Sequence, residues 1–327
     1  MDSKKCMWKT MVKADIDVIM PVSRTGNSLK KSIKSVFDST NINTRLIVVD
    51  NTKDGFSKIK DLLRSHDVYV RQPNQGYAAA MNAPLEQGVE FSDFIGYVND
   101  DDYILPEKFY MQLNQMDYDQ TELSITEIGK MRLGIPIFSN YGVIPYKYWN
   151  PLALIFGFYG ADATLVTRKN WLLNSGLRRE DIHSDLADFE YLVRNICPNQ
   201  MTSISRRLYK YVQHKNQISK NRATPADYLS ITDSVEKYLE TMSLTGMDFN
   251  TFCALRPMSF PDSYALTLDQ LVRITGTIEA VCRSNEERKT YMRLLEIRLQ
   301  CSKKTLSGQF LMKYHSLNTQ ISRTLKD

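Results

Sequence analysis

Three adjacent aspartates, Asp100, Asp101 and Asp102, follow Asn99 at the end of an apolar run, Phe94-Ile95-Gly96-Tyr97-Val98, and lead on to Pro106. Neighbouring like charges repel, so the cluster needs either a solvated turn or a bound cation. Carboxylates grouped at a strand end make a hard-oxygen site for Mg²⁺ or Mn²⁺, ions that also take phosphate oxygens as ligands. A cation held there neutralises a diphosphate and makes it a better leaving group. On these residues alone, an idle acidic turn and a metal–diphosphate site stay equally open.

Other chemistries lack their residues. There is no GxxxxGK[ST] loop and no GxGxxG, and so no indication of a P-loop or a dinucleotide fold. There is no GxSxG, and the histidines at 66, 183, 214 and 315 are not spaced as HExxH. The five cysteines are scattered without a CxxC pair, which reads as reduced thiols in a cytosolic protein.

The elements that must position the aspartates alternate between two periods. Residues 15–22 and 44–51 are short apolar runs rich in β-branched side chains, and 67–72 is a third strand. Between them, 27–39 has helical spacing at Leu29, Ile33, Val36 and Phe37, with Asn27 or Ser28 as cap; 56–65 and 76–89 are helical again. Short strands alternating with helices argue for βαβ units and a mostly parallel sheet. Ligands collect at the carboxyl ends of such strands, where Asp50 and Asn99–Asp102 both fall. Further on, 107–116 is helical, 161–176 reads as strand, helix and glycine stop, and 184–196 is a helix starting at Ser184 or Asp185. From about 222 the chain is helical, with Leu268, Leu271, Val272, Ile278 and Val281 in one apolar stripe.

The 327 residues, 43% apolar and 24% charged, suffice for one large folded domain and a smaller one, and exclude a disordered chain. No apolar stretch reads as a signal peptide, and the run 151–160 is too short to span a bilayer. Residues 281–327 hold ten basic side chains against four acidic, although the whole chain carries only +5. This basic tail points either to an anionic partner or to plain solvated helix faces.

Six stretches, DVIMPVSRTGNSLKKSIKSVF, LIVVDNTKDG, NQGYAAAMN, YVNDDDYILPEKF, ADFEYLVRN and YVQHKNQIS, come in the order and rough spacing of the family 2 glycosyltransferases. Over residues 15–220 the chain resembles that family, most of all its bacterial rhamnosyl- and envelope-glycan transferases. The resemblance implies a GT-A (Rossmann-like) α/β fold over residues 1–221, with 222–327 as a helical C-terminal domain. It implies Mn²⁺ or Mg²⁺ as cofactor and a UDP- or dTDP-sugar as donor. Its D-x-D signature falls on Asn99, Asp100 and Asp101, with Asn replacing the first Asp. Asp101 is then the metal ligand, and Asn99 and Asp100 help hold the nucleotide sugar. Pro21, Val22 and Ser23 lie beneath the nucleotide, Asp50 meets its base, and Asn74 and Asn82 complete the donor site. The family's E-D-x-x-x-x-x-R segment falls on Ala187, Asp188 and Arg194, making Asp188 the catalytic base and Asp185 a nearby competitor. His214 becomes a further metal ligand or diphosphate contact.

A carboxylate that takes the proton of an attacking hydroxyl, facing a cation-neutralised leaving group, suits single displacement with inversion. The acceptor is expected to be a glycan or another anionic polymer, its pocket built partly by residues 130–182, where NYGVIPYKYWNP supplies aromatic rings. The basic helices suit that polymer, the inner face of a membrane or a second copy of the chain. Three other readings stand beside this one: a transferase acting on modified bases of phage DNA, a non-catalytic nucleotide-sugar-binding module, and a two-metal nuclease built on Asp17, Asp50 and Asp101.

Overall fold

Within the runs at 15–22 and 44–51, residues 18–22 and 46–49 are unbroken apolar because both faces of their strands are covered. The structure is a computed structural model that describes residues 14–53, 55, 57–72, 76–132, 135–137, 151–156, 162–182, 186–195, 200–214, 224–244, 246–255 and 266–301. β1 (Ile16–Val22) lies parallel between β2 (Thr44–Asp50) and β4 (Phe94–Tyr97), and β3 (Val68–Arg71) lies parallel to β2. Ile16, Val18, Met20 and Val22 alternate onto one face, where they meet Leu29, Ile33 and Val36 of α1 (Asn27–Phe37). Fully burying each such side chain is worth about 1.5–3 kcal/mol. α2 (Tyr77–Glu86), almost entirely buried, packs against β1, β2 and β3; its run of alanines is compatible with a close approach to the sheet.

Each expected strand of this half is present, but two local expectations differ. Neither Asn27 nor Ser28 caps α1; the N-cap is Gly26 at φ 126°, a conformation open chiefly to glycine. The helix expected at 56–65 is a 3₁₀ segment, Ser57–Leu62, with Ile59 buried.

The sheet is mixed rather than mostly parallel. Beyond β4 follow β8 (Val166–Arg168), β6 (Leu123–Arg132), β9 (Met201–Gln213) and β5 (Tyr103–Ile104), with β7 (Ile135–Ile137) on β6. The pairings β4–β8, β8–β6, β6–β7 and β9–β5 are antiparallel. α3 (Lys108–Asp119) packs on β6, and Phe109 lies against Gly96 of β4, where an added Cβ would stand 2.6 Å from its ring. That glycine lets the helix seat directly on the strand that carries the aspartates.

Two consequences set up the site. The order β3-β2-β1-β4 reverses direction at β1, and ligands of open α/β sheets bind at such a switch point. The pairing of β5 with β9 sets Tyr103 opposite Lys210, bringing the end of β9 beside the residues after β4.

The chain divides into two compact units. The first comprises residues 1–142, 160–180 and 202–214, and so holds nearly all of the sheet together with α5 (Lys169–Asn174), which is followed by Gly176 at φ 67°. The second gathers 143–159, 181–201 and 215–327, so residues 222–327 share their unit with earlier pieces of chain. Its described helices are α4 (Leu152–Ile155), α6 (Ala187–Asn195), α7 (Pro225–Leu229), α8 (Thr232–Thr241), α9 (Phe249–Ala254), α10 (Leu268–Val281) and α11 (Asn285–Cys301). α6 is held by Phe189 stacked on Phe252 and by Glu190, which accepts from Ser234 of α8 and pairs with Arg194. Thr224 and Thr267 form capping boxes at α7 and α10. The buried face of α10 is Leu271, Ile274, Thr275, Thr277 and Ile278; Val272, expected in that stripe, is 46% exposed because it projects from another side of the helix. Among the described residues no helix is long and apolar enough to cross a membrane.

Candidate functional site

The three aspartates point to three different partners. Asp100 Oδ2 accepts the backbone N–H groups of Ser23 (2.8 Å) and Arg24 (3.1 Å) and the Ser23 hydroxyl (3.2 Å). It thereby ties the exit of β1 to the exit of β4. Burial raises the pKa of this carboxyl, against the pull of the Ser23 N–H. Asp102 turns the other way: its carboxylate accepts Val212 N–H at 2.7 Å and the Tyr209 hydroxyl at 2.7 Å. Tyr209 Oη in turn accepts Asn99 N–H at 3.3 Å. Burial and repulsion from Asp101 push the Asp102 carboxyl up to about 7. Asp102 therefore fastens the end of β9, two residues before His214.

Asp101 faces His214. Its Oδ2 lies 2.7 Å from His214 Nε2 and 3.5 Å from Arg24 Nη1, and Arg24 Nη1 is 3.0 Å from the same Nε2. One nitrogen cannot serve both contacts. With a proton, Nε2 donates to Asp101 and has no lone pair for the guanidinium; without one, its lone pair faces a carboxylate. A cation between Asp101 and His214 would satisfy carboxylate and imidazole together, and both are donor types that Mn²⁺ accepts. Among the described residues no group of three or more His, Cys, Asp or Glu is arranged to hold a metal ion. The pair thus fits an ion that takes its other ligands from substrate phosphates and water.

Asp50 closes β2 in register with Val22, one residue before Ser23. It is fully buried. Its Oδ1 accepts the Thr52 N–H (3.0 Å) and hydroxyl (2.6 Å), and its Oδ2 accepts the Tyr69 hydroxyl at 2.7 Å. Burial and this bond to Asp50 push the Tyr69 phenol up to about 12. Arg71 donates to the Asp50 carbonyl at 2.6 Å, and Asn51 N–H to that of Val22 at 2.8 Å. Pro21, Val22, Ser23 and Asp50 thus form one rim at adjacent strand ends.

Asn82 is buried in α2 and holds a later segment. Its amide donates to the Arg178 carbonyl and to Glu180, and its oxygen accepts Arg178 N–H at 2.8 Å. The Arg178 guanidinium forms a buried ion pair with Asp162 at 2.9 Å, and Tyr77 also donates to Asp162. Asp188 lies half-buried in the first turn of α6, in the second unit, and Arg194 of that helix pairs with Glu190. Asn74, Asp185 and residues 140–150 lie outside the described residues.

The structure brings Ser23, Asn99, Asp100, Asp101 and His214 into one cluster, with Asp50 on the same rim. It also places there Arg24, which the sequence reading passed over; the only signal was a basic residue following the Pro-Val-Ser turn. Asp17 is bound to Arg45 and Ser92 and pairs five positions from Asp50 along the register, roughly 16 Å away. That distance separates two members of the nuclease triad.

Residues 17–150 match the family described as Glycosyl transferase family 2. Comparison with curated proteins finds no match. Among solved structures the chain is similar to S. aureus TarS, with 14% identity and a TM-score of 0.57 over 88% of this chain and 54% of that one. It therefore spans about half the length of that relative. Against S. aureus TarS 1-349 in complex with UDP-GlcNAc the identity is 15%, covering 82% of this chain and 81% of that one at a TM-score of 0.53. Against the mannosyltransferase PcManGT from Pyrobaculum calidifontis, in complex with GDP-Man and Mn²⁺, identity is 10%, coverage 90% and 87%, and TM-score 0.52. At these identities the likeness speaks for the fold.

Proposed function

We propose that this chain, a glycosyltransferase of GT-A fold that belongs to family 2 through residues 17–150, moves a sugar from a nucleotide-diphosphate donor to a hydroxyl of a glycan or other polymer, with inversion. The observation that carries this reading is the Asp101–His214 pair at the switch point, 2.7 Å apart, beside a β1 exit pinned by Asp100. Asp101 and His214 would hold Mn²⁺ or Mg²⁺, which neutralises charge on the departing diphosphate when bound. The rim of Pro21, Val22, Ser23 and Asp50 receives the nucleoside, with Asn74 and Asn99 supporting the donor, while the buried Asn82 holds the segment at Arg178 and Glu180. Asp188 accepts the proton of the attacking hydroxyl, whose own pKa makes it a poor nucleophile. Ligands named with the similar structures, UDP-GlcNAc and GDP-Man, support a nucleotide-sugar donor. In this reading the basic stretch 281–327 serves the acceptor, or a membrane surface; residues 302–327 of it lie outside the described residues.

The test is nucleoside-diphosphate release from a panel of UDP-, dTDP- and GDP-sugars, with Mn²⁺ and with EDTA. Release from one donor, lost with EDTA and in Asp101→Asn, is expected. Absence of nucleotide binding across the panel would overturn the reading.

A further inference from the structure

The aspartates already have a counter-charge within the chain. Arg24 Nε lies 3.6 Å from Asp100 Oδ1, and its Nη1 reaches both Asp101 Oδ2 (3.5 Å) and His214 Nε2 (3.0 Å). Those two atoms are the donors assigned above to a divalent ion. A guanidinium and a divalent cation repel and cannot share the gap between them. Nor does the guanidinium suit the gap, since Nε2 cannot accept from Arg24 while donating to Asp101. A planar fork of N–H donors matches phosphate oxygens well. The Arg24 side chain is 30% exposed while its backbone N–H stays bound to Asp100 at 3.1 Å, so the head group can leave without disturbing the turn.

We propose that Arg24 is a resident counter-ion that keeps a divalent ion off Asp101 and His214 until a nucleoside diphosphate draws the guanidinium onto its phosphates. Metal and donor then bind together, and the ion does not settle on the donor-free protein. This inference rests on the metal-assisted reading of the same site.

The test titrates the purified full chain with Mn²⁺ alone, following free ion by electron paramagnetic resonance, in wild type, Arg24→Gln and Arg24→Lys. The expected result is that Arg24→Gln binds Mn²⁺ about tenfold tighter than wild type, the size of an ordinary coupling between sites. Arg24→Lys keeps the charge and should stay near wild type. In calorimetry with saturating Mn²⁺, Arg24→Gln should bind UDP or GDP more weakly, having lost a phosphate contact. Equal Mn²⁺ affinity in wild type and Arg24→Gln, or equal tightening in Arg24→Lys, overturns the inference. Asp101→Asn in the Arg24→Gln background separates the two levels. If it abolishes Mn²⁺ binding, the metal site stands whatever Arg24 does. If it leaves Mn²⁺ binding unchanged, the metal site and the inference fall together.

Discussion

Asp100, Asp101 and Asp102 are consecutive, yet their carboxylates do separate work. Asp100 and Asp102 are consumed by the fold, one bracing the β1 exit and the other the end of β9. Asp101 is the more exposed of the ion-paired two, its side chain 14% exposed against 6% for Asp100. Replacing Asp100 or Asp102 should therefore loosen the site, whereas replacing Asp101 should weaken binding of the proposed ion. In the proposed reaction Asp188 serves another step, and its variant should show a different kinetic pattern. Asp188→Asn is expected to lower kcat by about 10²–10⁴, the usual weight of a general base. Affinity for Mn²⁺ and for nucleoside diphosphate should barely change. Steady-state kinetics with calorimetry checks this; retention of more than a tenth of the turnover would move the role to another carboxylate, Asp185 first.

At the scale of elements, α3 carries an unusual burden. Lys108 in its first turn is completely buried, and its Nζ has no hydrogen-bond partner among the described residues. Burial drives its pKa well below the ordinary lysine value. The unfolded chain therefore binds a proton that the folded chain resists, over the range between the folded value and about 10.4. Stability rises with pH across that range, because the unfolded state holds more protons there. Lys108→Met should stabilise the protein by about 1–3 kcal/mol at pH 7, the cost of an unsatisfied buried polar group. The gain should shrink as pH approaches 10. Thermal melts of both proteins at pH 7 and 10 test this, and an equal or negative gain at pH 7 would show that Nζ has a use.

At the scale of the molecule, charge is distributed unevenly. Residues 281–327 hold ten basic side chains against four acidic, a net of +6 in a chain of +5, so the rest is close to neutral. If this region holds an anionic polymer, KM for such an acceptor should rise severalfold between about 50 and 200 mM salt, because ion contacts between macromolecules are screened or replaced by counter-ions. KM for the donor should move less, and kcat little. Initial rates at the two salt concentrations decide it, with an uncharged acceptor as control. A salt-insensitive acceptor KM would assign the basic tail to something else.

Much of this protein was legible in its sequence because the signals are local. Strands β1 to β4 and helices α1 and α2 follow from apolar period, and the acidic strand end announces itself by charge repulsion alone. β5, β6, β7 and β9 were not legible. β9 runs as Arg206-Arg207-Leu208-Tyr209-Lys210, and its place depends on non-local pairing with β5 and β6. The candidate site was legible as a set of residue types, but which aspartate meets which partner was not. Three adjacent carboxylates look equivalent along a chain. They became different only when β1, β4 and β9 converged, giving Asp100 two backbone N–H groups, Asp102 a tyrosine and a strand end, and Asp101 a histidine 113 residues away. Arg24 shows the same limit most plainly, because its meaning lies wholly in what stands across the crevice from it. Hydrophobic period is written residue by residue, whereas electrostatic partnership exists only once distant strand ends meet.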